Sequence, residues 1–283
     1  MGSWSTNAPI RLAILEADTP IPPIKAKYQT YGGVFAHMFK RACASLSRPV
    51  SLESQLALSS HDIVNDLSSY PDPDAIDAIL ITGAKYNAFD SDEWIERLVQ
   101  YTKRCLEGGR VRVIGVCFGH QIIGRALGAQ LGRNTRGWEV SVVEHELTAE
   151  GKKVLGLETM SIHQMHRDAV LSFPPGVVQL ARTDVCANQG MYVPGRLISV
   201  QGHPEFTEEM VRELLNMRKY GGIISDDVYQ GGMSRVADKQ DGVAVAQAFL
   251  RCASPRVSPY ELISVLPLLL LLLLAALLGI RGM

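Results

Sequence analysis

The chain has 283 residues, 47% of them hydrophobic, and a formal net charge of −1. This length holds one large or two small domains, and the near-neutral charge excludes a strongly basic nucleic-acid-binding protein and an acidic disordered chain. The five cysteines are odd in number and have no regular spacing, so we predict a reducing, cytoplasmic environment and no disulfide framework.

The first half of the chain alternates between strand and helix patterns. Apolar runs predict strands at 10–15, 50–58, 75–82 and 111–115. Helical periodicity predicts helices at 33–46, 91–107 and from Phe118 to 127, and three prolines predict a loop at 19–31. Strands that alternate with helices predict a mainly parallel sheet covered on both faces.

The second half has a different pattern. Segments 139–147, 157–163, 177–181 and 191–201 predict strands joined by short turns, which we expect to form an antiparallel extension at one edge of the sheet. A helix is predicted at 207–220, a glycine-rich loop at 221–232, and a last helix around 243–250.

Cys117 lies where a predicted strand passes into a predicted helix, in the run Gly-Val-Cys-Phe-Gly at 115–119. A thiol between two glycines at such a turn has the form of a nucleophile elbow. The glycines leave room for a sharp turn, and the unpaired N–H groups at the start of the helix favour the thiolate. A single cysteine is more often a small buried hydrophobic residue, so catalysis requires a base as well.

A base for Cys117 is found in the run Gln-Gly-His-Pro-Glu-Phe at 201–206, again after a predicted strand. Pro204 favours an extended backbone at His203, and side chains two residues apart in an extended segment point to the same side. A lone His-Pro-Glu is more often a surface turn. Because ligands bind at the carboxyl ends of parallel strands, the two motifs together predict a catalytic site in which Glu205 orients His203 beside Cys117.

These two motifs resemble the two signatures of class I glutamine amidotransferases, and the similarity extends over roughly residues 10–252. The chain more narrowly resembles the stand-alone branch that includes GMP-synthase-like proteins and plant γ-glutamyl peptidases. Segments 81–90, 94–95, 132–134, 137–139 and 163–168 carry this further resemblance. The resemblance implies an α/β, flavodoxin-like fold: a mainly parallel sheet with helices on both faces and an antiparallel edge extension.

The resemblance also implies a mechanism. Cys117 would attack the γ-carbonyl of glutamine or of a γ-glutamyl group and form a thioester, with His203 as base and acid. The oxyanion hole would consist of the backbone N–H of Phe118 and an N–H of the loop at Gly83 and Ala84.

Three further residues receive a substrate-binding role from the same resemblance. Gln121 would help to hold the glutamyl group, and His166 and Asp168 match a segment that lies beside the glutamyl site in relatives. One departure is visible, because Ala84 and Lys85 stand where relatives carry Ser-Pro or Gly-Pro. The backbone role survives this change, while the substrate preference near the loop stays open.

We predict neither a metal nor a cofactor. His163 and His166 are three residues apart, a spacing seen in metal sites, but in a strand these positions point to opposite sides. The chain contains no Cys-x-x-Cys and no His-Glu-x-x-His motif. A metal would also occupy the thiolate that catalysis needs.

Three functional hypotheses remain, because the chain has no ATP-binding loop with which to act as a synthase. The first is a cysteine-dependent hydrolase of glutamine or of γ-glutamyl peptides, serving specialised metabolism as the resemblance to γ-glutamyl peptidases implies. The second is a glutaminase subunit that supplies ammonia to a separate synthase partner. The third is a non-catalytic adaptor tethered to a membrane. No nucleic-acid partner is predicted.

The end of the chain carries the second unusual pattern. Residues 262–280 are leucine-rich and contain no charged side chain; as a helix they would span about 28 Å, close to the hydrocarbon thickness of about 30 Å. They predict a membrane anchor that leaves the catalytic domain in the cytoplasm, and the alternative is an error of gene prediction. The predicted organisation is a flexible N-terminus at 1–9, one domain at 10–252 and a hydrophobic tail at 253–283.

Overall fold

A computed structural model describes residues 8–254 of the chain. The predicted anchor at 262–280 lies outside the described residues. Between residues 8 and 254, no helix is both long and apolar enough to cross a membrane.

The strands begin and end as follows: β1 (Ile10–Glu16), β2 (Leu56–Asp62), β3 (Ala78–Ile81), β4 (Arg112–Val116), β5 (Leu131–Arg133), β6 (Glu139–Leu147), β7 (Thr159–His166), β8 (Asp168–Val170), β9 (Val178–Arg182), β10 (Gly190–Val193) and β11 (Leu197–Val200). The helices are α1 (Pro22–Tyr28), α2 (Tyr31–Ala44), α3 (Leu52–Gln55), α4 (Glu93–Gly108), α5 (Phe118–Ala126), α6 (Ala149–Leu155), α7 (Glu208–Tyr220), α8 (Asp226–Arg235) and α9 (Gly242–Ala253).

The main sheet of the described residues has nine strands in the order β2-β1-β3-β4-β11-β10-β9-β6-β7. The strands from β2 to β11 in this order are parallel, which is the flavodoxin-like arrangement. The strands from β10 to β7 pair antiparallel and extend one edge. The predicted α/β, flavodoxin-like fold with an antiparallel edge extension is confirmed.

Helices cover both faces of the parallel strands. On one face α2 and α9 bury aromatic side chains such as Phe35 and Phe249 against the sheet. On the other face α4 and α5 bury Leu98, Tyr101 and Ile122. Because both faces are covered, strands such as β3 are apolar and buried at every residue, and the carboxyl ends of these strands form a rigid edge.

Two predicted loops contain helices. The proline-rich segment at 19–31 includes α1, because a proline in the first turn of a helix needs no N–H donor and already has a helical φ. The glycine-rich segment at 221–232 includes the start of α8, where the Ser225 side chain accepts a hydrogen bond from the N–H of Val228. Gly232 allows close packing there: an added Cβ would lie 3.0 Å from the side chains of Leu215 and Val140.

The segment at 191–201, predicted as one strand, forms two. β10 turns at Gly195, which has a positive φ of 64°, and β11 returns antiparallel to it. The second strand of this hairpin joins the parallel part of the sheet beside β4. The segment that leads to His203 is therefore part of the central sheet and not of the edge extension.

Candidate active site

Cys117 lies in a strained turn between β4 and α5. Its backbone has a φ of 52° and a ψ of −103°, a conformation that costs a residue other than glycine about 1–3 kcal/mol. Its N–H donates to the carbonyl of Val200 at 3.0 Å, which ties the turn to β11. The positive φ of this turn is therefore that of Cys117 itself and not of the flanking Gly115 or Gly119. Gly119 is needed for close packing, because an added Cβ would lie 2.2 Å from the carbonyl oxygen of Ile81.

His203 and Glu205 follow β11, the strand beside β4, and both side chains are buried. The Nδ1 atom of His203 lies 2.8 Å from Oε1 of Glu205. The backbone N–H of His203 donates to the carbonyl of His163 at 2.7 Å, and its ring stacks on Phe206 with 3.9 Å between the ring centroids. These contacts fix the imidazole and leave Nε2 for a partner other than Glu205.

The electrostatics of the site keep a proton on His203. Burial by itself lowers the pKa of this imidazole, but the charges of Glu205 and Cys117 and hydrogen bonds to both side chains outweigh it and raise the pKa to about 10. At neutral pH the site therefore has an imidazolium between a sulfur atom and a carboxylate.

The loop after β3 closes over the cysteine and the histidine. An added Cβ on Gly83 would lie 2.7 Å from Cε1 of His203 and 3.6 Å from Cβ of Cys117. Within residues 8–254, the N–H groups of Gly83, Ala84 and Phe118 donate no hydrogen bond to another residue. Three unpaired backbone donors thus lie on the segments next to the sulfur atom.

A cavity of about 560 Å³ opens beside Cys117, within the size range of small-molecule sites. Its walls include Ala84, Gln121, His166 and Asp168. The fold therefore brings four of the predicted residues together around the thiol, although they come from three separate segments of the chain.

The side chains of this wall are held by one another. Nε2 of Gln121 donates to the carbonyl of Asp168 at 2.9 Å and to Oε1 of Gln201 at 3.1 Å. Nδ1 of His166 lies 3.0 Å from the same carbonyl oxygen. The Asp168 carboxylate accepts from Nε of Arg133 at 2.9 Å, so an acid and a base stand side by side at the cavity.

A buried polar network behind the cavity was missed in the sequence. Glu139 accepts hydrogen bonds from Thr183 at 2.7 Å and Gln189 at 2.8 Å, and its carboxylate lies 3.0 Å from Nε2 of His166. Burial raises the pKa of Glu139, but His166 and the Thr183 hydroxyl outweigh it and hold the pKa below its usual range. The sequence signal was present, because Glu139 lies in the family-like segment 137–139.

Two more cavity residues, Trp138 and Arg218, received no role from the sequence. The guanidinium carbon of Arg218 lies 5.0 Å from the centroid of the Trp138 ring, within cation–π range. Arg218 lies in the last turn of α7, where a basic residue is common because it interacts favourably with the helix dipole. Its position in the sequence therefore did not mark it as a residue of the site. Among the described residues, no cluster of three or more His, Cys, Asp or Glu side chains is arranged to hold a metal.

Comparison with known proteins agrees with this fold. The family model "glutamine amidotransferase class-I" matches residues 35–216, and the chain belongs to this family, which confirms the predicted resemblance. A glutamine amidotransferase-like protein of Schizosaccharomyces pombe is 32% identical over 244 residues, covering 85% of this chain and 97% of that protein.

Other similar proteins carry two kinds of name. Gamma-glutamyl peptidase 3 of Arabidopsis thaliana is 29% identical over 159 residues, covering 54% of this chain and 61% of that protein. A crystal structure of a glutamine amidotransferase from Thermotoga maritima superposes with a TM-score of 0.66 at 14% identity, covering 88% of this chain and 99% of that one. At this identity the structure supports the fold alone, while the sequence relatives support an amidohydrolase.

Proposed function

We propose that the protein hydrolyses the γ-amide bond of glutamine or of a γ-glutamyl peptide, with Cys117 as nucleophile, His203 as acid and base, and Glu205 as the residue that orients His203. One observation carries the proposal: the cysteine turn and the buried histidine–glutamate pair follow adjacent parallel strands, Gly83 packs against both Cys117 and His203, and Cys117 lines a cavity. The names of the relatives, glutamine amidotransferase-like and gamma-glutamyl peptidase, supply the substrate class.

The first step forms a thioester. The thiolate of Cys117 attacks the γ-carbonyl carbon, and the electron pair of the C=O bond moves to oxygen. The unpaired N–H groups of Gly83, Ala84 and Phe118 are the donors available for this oxyanion, and each such donor contributes about 3–4 kcal/mol in other hydrolases. When the oxyanion collapses, the C–N bond breaks and His203 gives its proton to the leaving nitrogen.

The second step releases glutamate. Neutral His203 takes a proton from water, and the resulting hydroxide attacks the thioester carbon. A second oxyanion collapses, the C–S bond breaks, and the thiolate and imidazolium are restored. Because His203 holds its proton at neutral pH in the resting site, the group needed for departure of the amine is in place before the substrate arrives.

The opposite end of the glutamyl group carries an ammonium and a carboxylate. Asp168 and Arg133, which contact each other at 2.9 Å in the cavity wall, provide one partner of each sign. We assign Gln121 and His166 to the same subsite, since both contact the carbonyl of Asp168. That this reaction serves specialised metabolism stays a prediction.

The test is release of glutamate by the full chain from L-glutamine and from glutathione, measured side by side. Cys117→Ala should abolish release from both, while Cys105→Ala, which removes another buried thiol in α4, should retain it. Faster release from glutathione means a peptidase, and faster release from glutamine favours the ammonia-supplying hypothesis. Absence of Cys117-dependent release from either compound refutes the proposal and leaves the adaptor hypothesis.

A further inference from the structure

Basic side chains outnumber acidic ones in the cavity beside Cys117. The basic residues that line it are Lys85, Arg133, Arg167 and Arg218, against the single acid Asp168. Ion pairs neutralise two of them: Lys85 contacts Asp18 at 2.9 Å and Arg133 contacts Asp168 at 2.9 Å. The cavity therefore has a positive excess after its internal pairs are counted, which suits an anionic ligand.

Arg218 is the most constrained of these cations. Its Nε atom is buried and has no hydrogen-bond partner among residues 8–254, and the chain over the same range provides no carboxylate within ion-pair distance of its guanidinium. The Trp138 ring, 5.0 Å away, holds one face of the side chain. A desolvated cation without a paired carboxylate is costly, and a planar guanidinium fits a carboxylate with two parallel hydrogen bonds.

Arg218 and the Arg133–Asp168 pair come from different elements of the cavity wall. α7 begins directly after the segment that carries His203 and Glu205, with Thr207 as its N-cap. The leaving nitrogen must lie next to His203 to receive its proton. Arg218 lies at the other end of this helix, in its last turn, and lines the cavity together with Met217 and Gly221. The Arg133–Asp168 pair comes instead from β5 and β8.

We propose that Arg218, held against Trp138, binds a carboxylate that lies beyond the scissile bond, in the amine portion of the substrate. This specificity role rests on the proposed function. It makes a γ-glutamyl peptide with a free carboxylate a better substrate than its carboxamide or than glutamine, whose leaving group is ammonia. The open choice between peptide and glutamine is then decided by one side chain of the cavity wall.

The kinetic test compares glutathione with the same tripeptide amidated at its glycine carboxylate. In wild type we expect kcat/KM to be at least about 10-fold higher for glutathione. Arg218→Met should lower kcat/KM for glutathione by about 10–100-fold and bring the ratio of the two substrates close to one. Arg218→Lys keeps the positive charge but loses the two parallel N–H donors of the guanidinium. It should restore part of the preference for glutathione over its amide.

The control is Arg212→Met on the same helix, where the arginine is half exposed and pairs with Glu208 at 2.7 Å; it should keep the wild-type ratio. The proposal is overturned if Arg218→Met lowers both substrates equally, or if wild type does not distinguish them. An equal loss would place the carboxylate contact at the glutamyl end or make Arg218 a structural residue.

A binding measurement keeps this inference separate from the proposed chemistry. In the Cys117→Ala chain, calorimetry should give a Kd for glutathione that rises about 10-fold or more when Arg218→Met is added, with unchanged affinity for the amide. The role of Arg218 is overturned if Arg218→Met leaves the Kd for glutathione unchanged, or if glutathione does not bind to the Cys117→Ala chain. Failure of the proposed function appears differently, as binding without any Cys117-dependent release of glutamate.

Discussion

Replacement of Glu205 by glutamine removes a negative charge next to His203 while keeping the shape of the side chain. In the wild-type protein the two groups are 2.8 Å apart and buried. Burial lowers the pKa of His203, and the charge of Glu205 is the strongest of the influences that raise it to about 10. We expect Glu205→Gln to move this pKa back toward its ordinary value of 6.5.

The assay is the pH dependence of kcat/KM for glutamate release. In the proposed mechanism His203 must carry a proton to expel the amine, so activity falls as the pH rises through the pKa of His203. In wild type this alkaline limb should lie near pH 10, and in Glu205→Gln it should move to lower pH by about one pH unit or more. At pH 8 we expect kcat/KM to fall by about 10²–10⁴-fold, as when the acid of a catalytic triad is removed.

Glu208→Gln is the matched control, because Glu208 lies three residues further along and pairs with Arg212 at the surface. It should leave both the activity and the alkaline limb as in wild type. A Glu205→Gln profile with its alkaline limb at the wild-type position would refute the reasoning, since the charge of Glu205 would then not govern the proton on His203.

Two further substitutions test the packing around the site. Gly83→Ala places a methyl group 2.7 Å from Cε1 of His203 and should lower kcat/KM by about 100-fold, because the methyl group displaces the imidazole. The control Gly108→Ala, whose methyl group would have no atom within 4 Å, should keep the wild-type kcat/KM. Equal activities of the two variants would contradict this prediction. Glu139→Gln removes the charge from the buried network and should lower the free energy of unfolding in urea by about 3 kcal/mol, against a negligible change for the exposed Glu144→Gln. A negligible loss in the first variant would show that the network does not need the charge.

The features that the sequence indicates most directly depend on neighbours in the chain. The turn at Cys117 needs only a strand, a cysteine between glycines and a helix, all within residues 111–127. The contact between His203 and Glu205 needs only an extended segment of three residues. Apolar runs likewise identified β1, β3 and β4, because a strand buried on both faces must be apolar throughout. The strand predicted at 50–58 was wrong in its bounds, since this segment contains α3 and only the start of the partly exposed β2.

The errors arose where packing overrides local preference. The glycines at 221–232 predicted a loop, yet α8 begins within this segment. Gly232 is part of the helix, where the side chains of Leu215 and Val140 leave no room for a larger residue. The split of 191–201 into β10 and β11 also depends on distant partners, since only pairing with β4 moves the second half of the segment into the central sheet.

The sequence by itself determined the fold class and indicated the residues proposed to react, because both follow from short patterns with strict backbone requirements. Only the tertiary structure decided which charges meet at the cavity. Glu139 reaches His166 from another strand, and Arg218 lies against Trp138 although 80 positions separate them in the chain. Such contacts depend on how elements pack across space, and the local pattern of residues around each side chain carries no record of them.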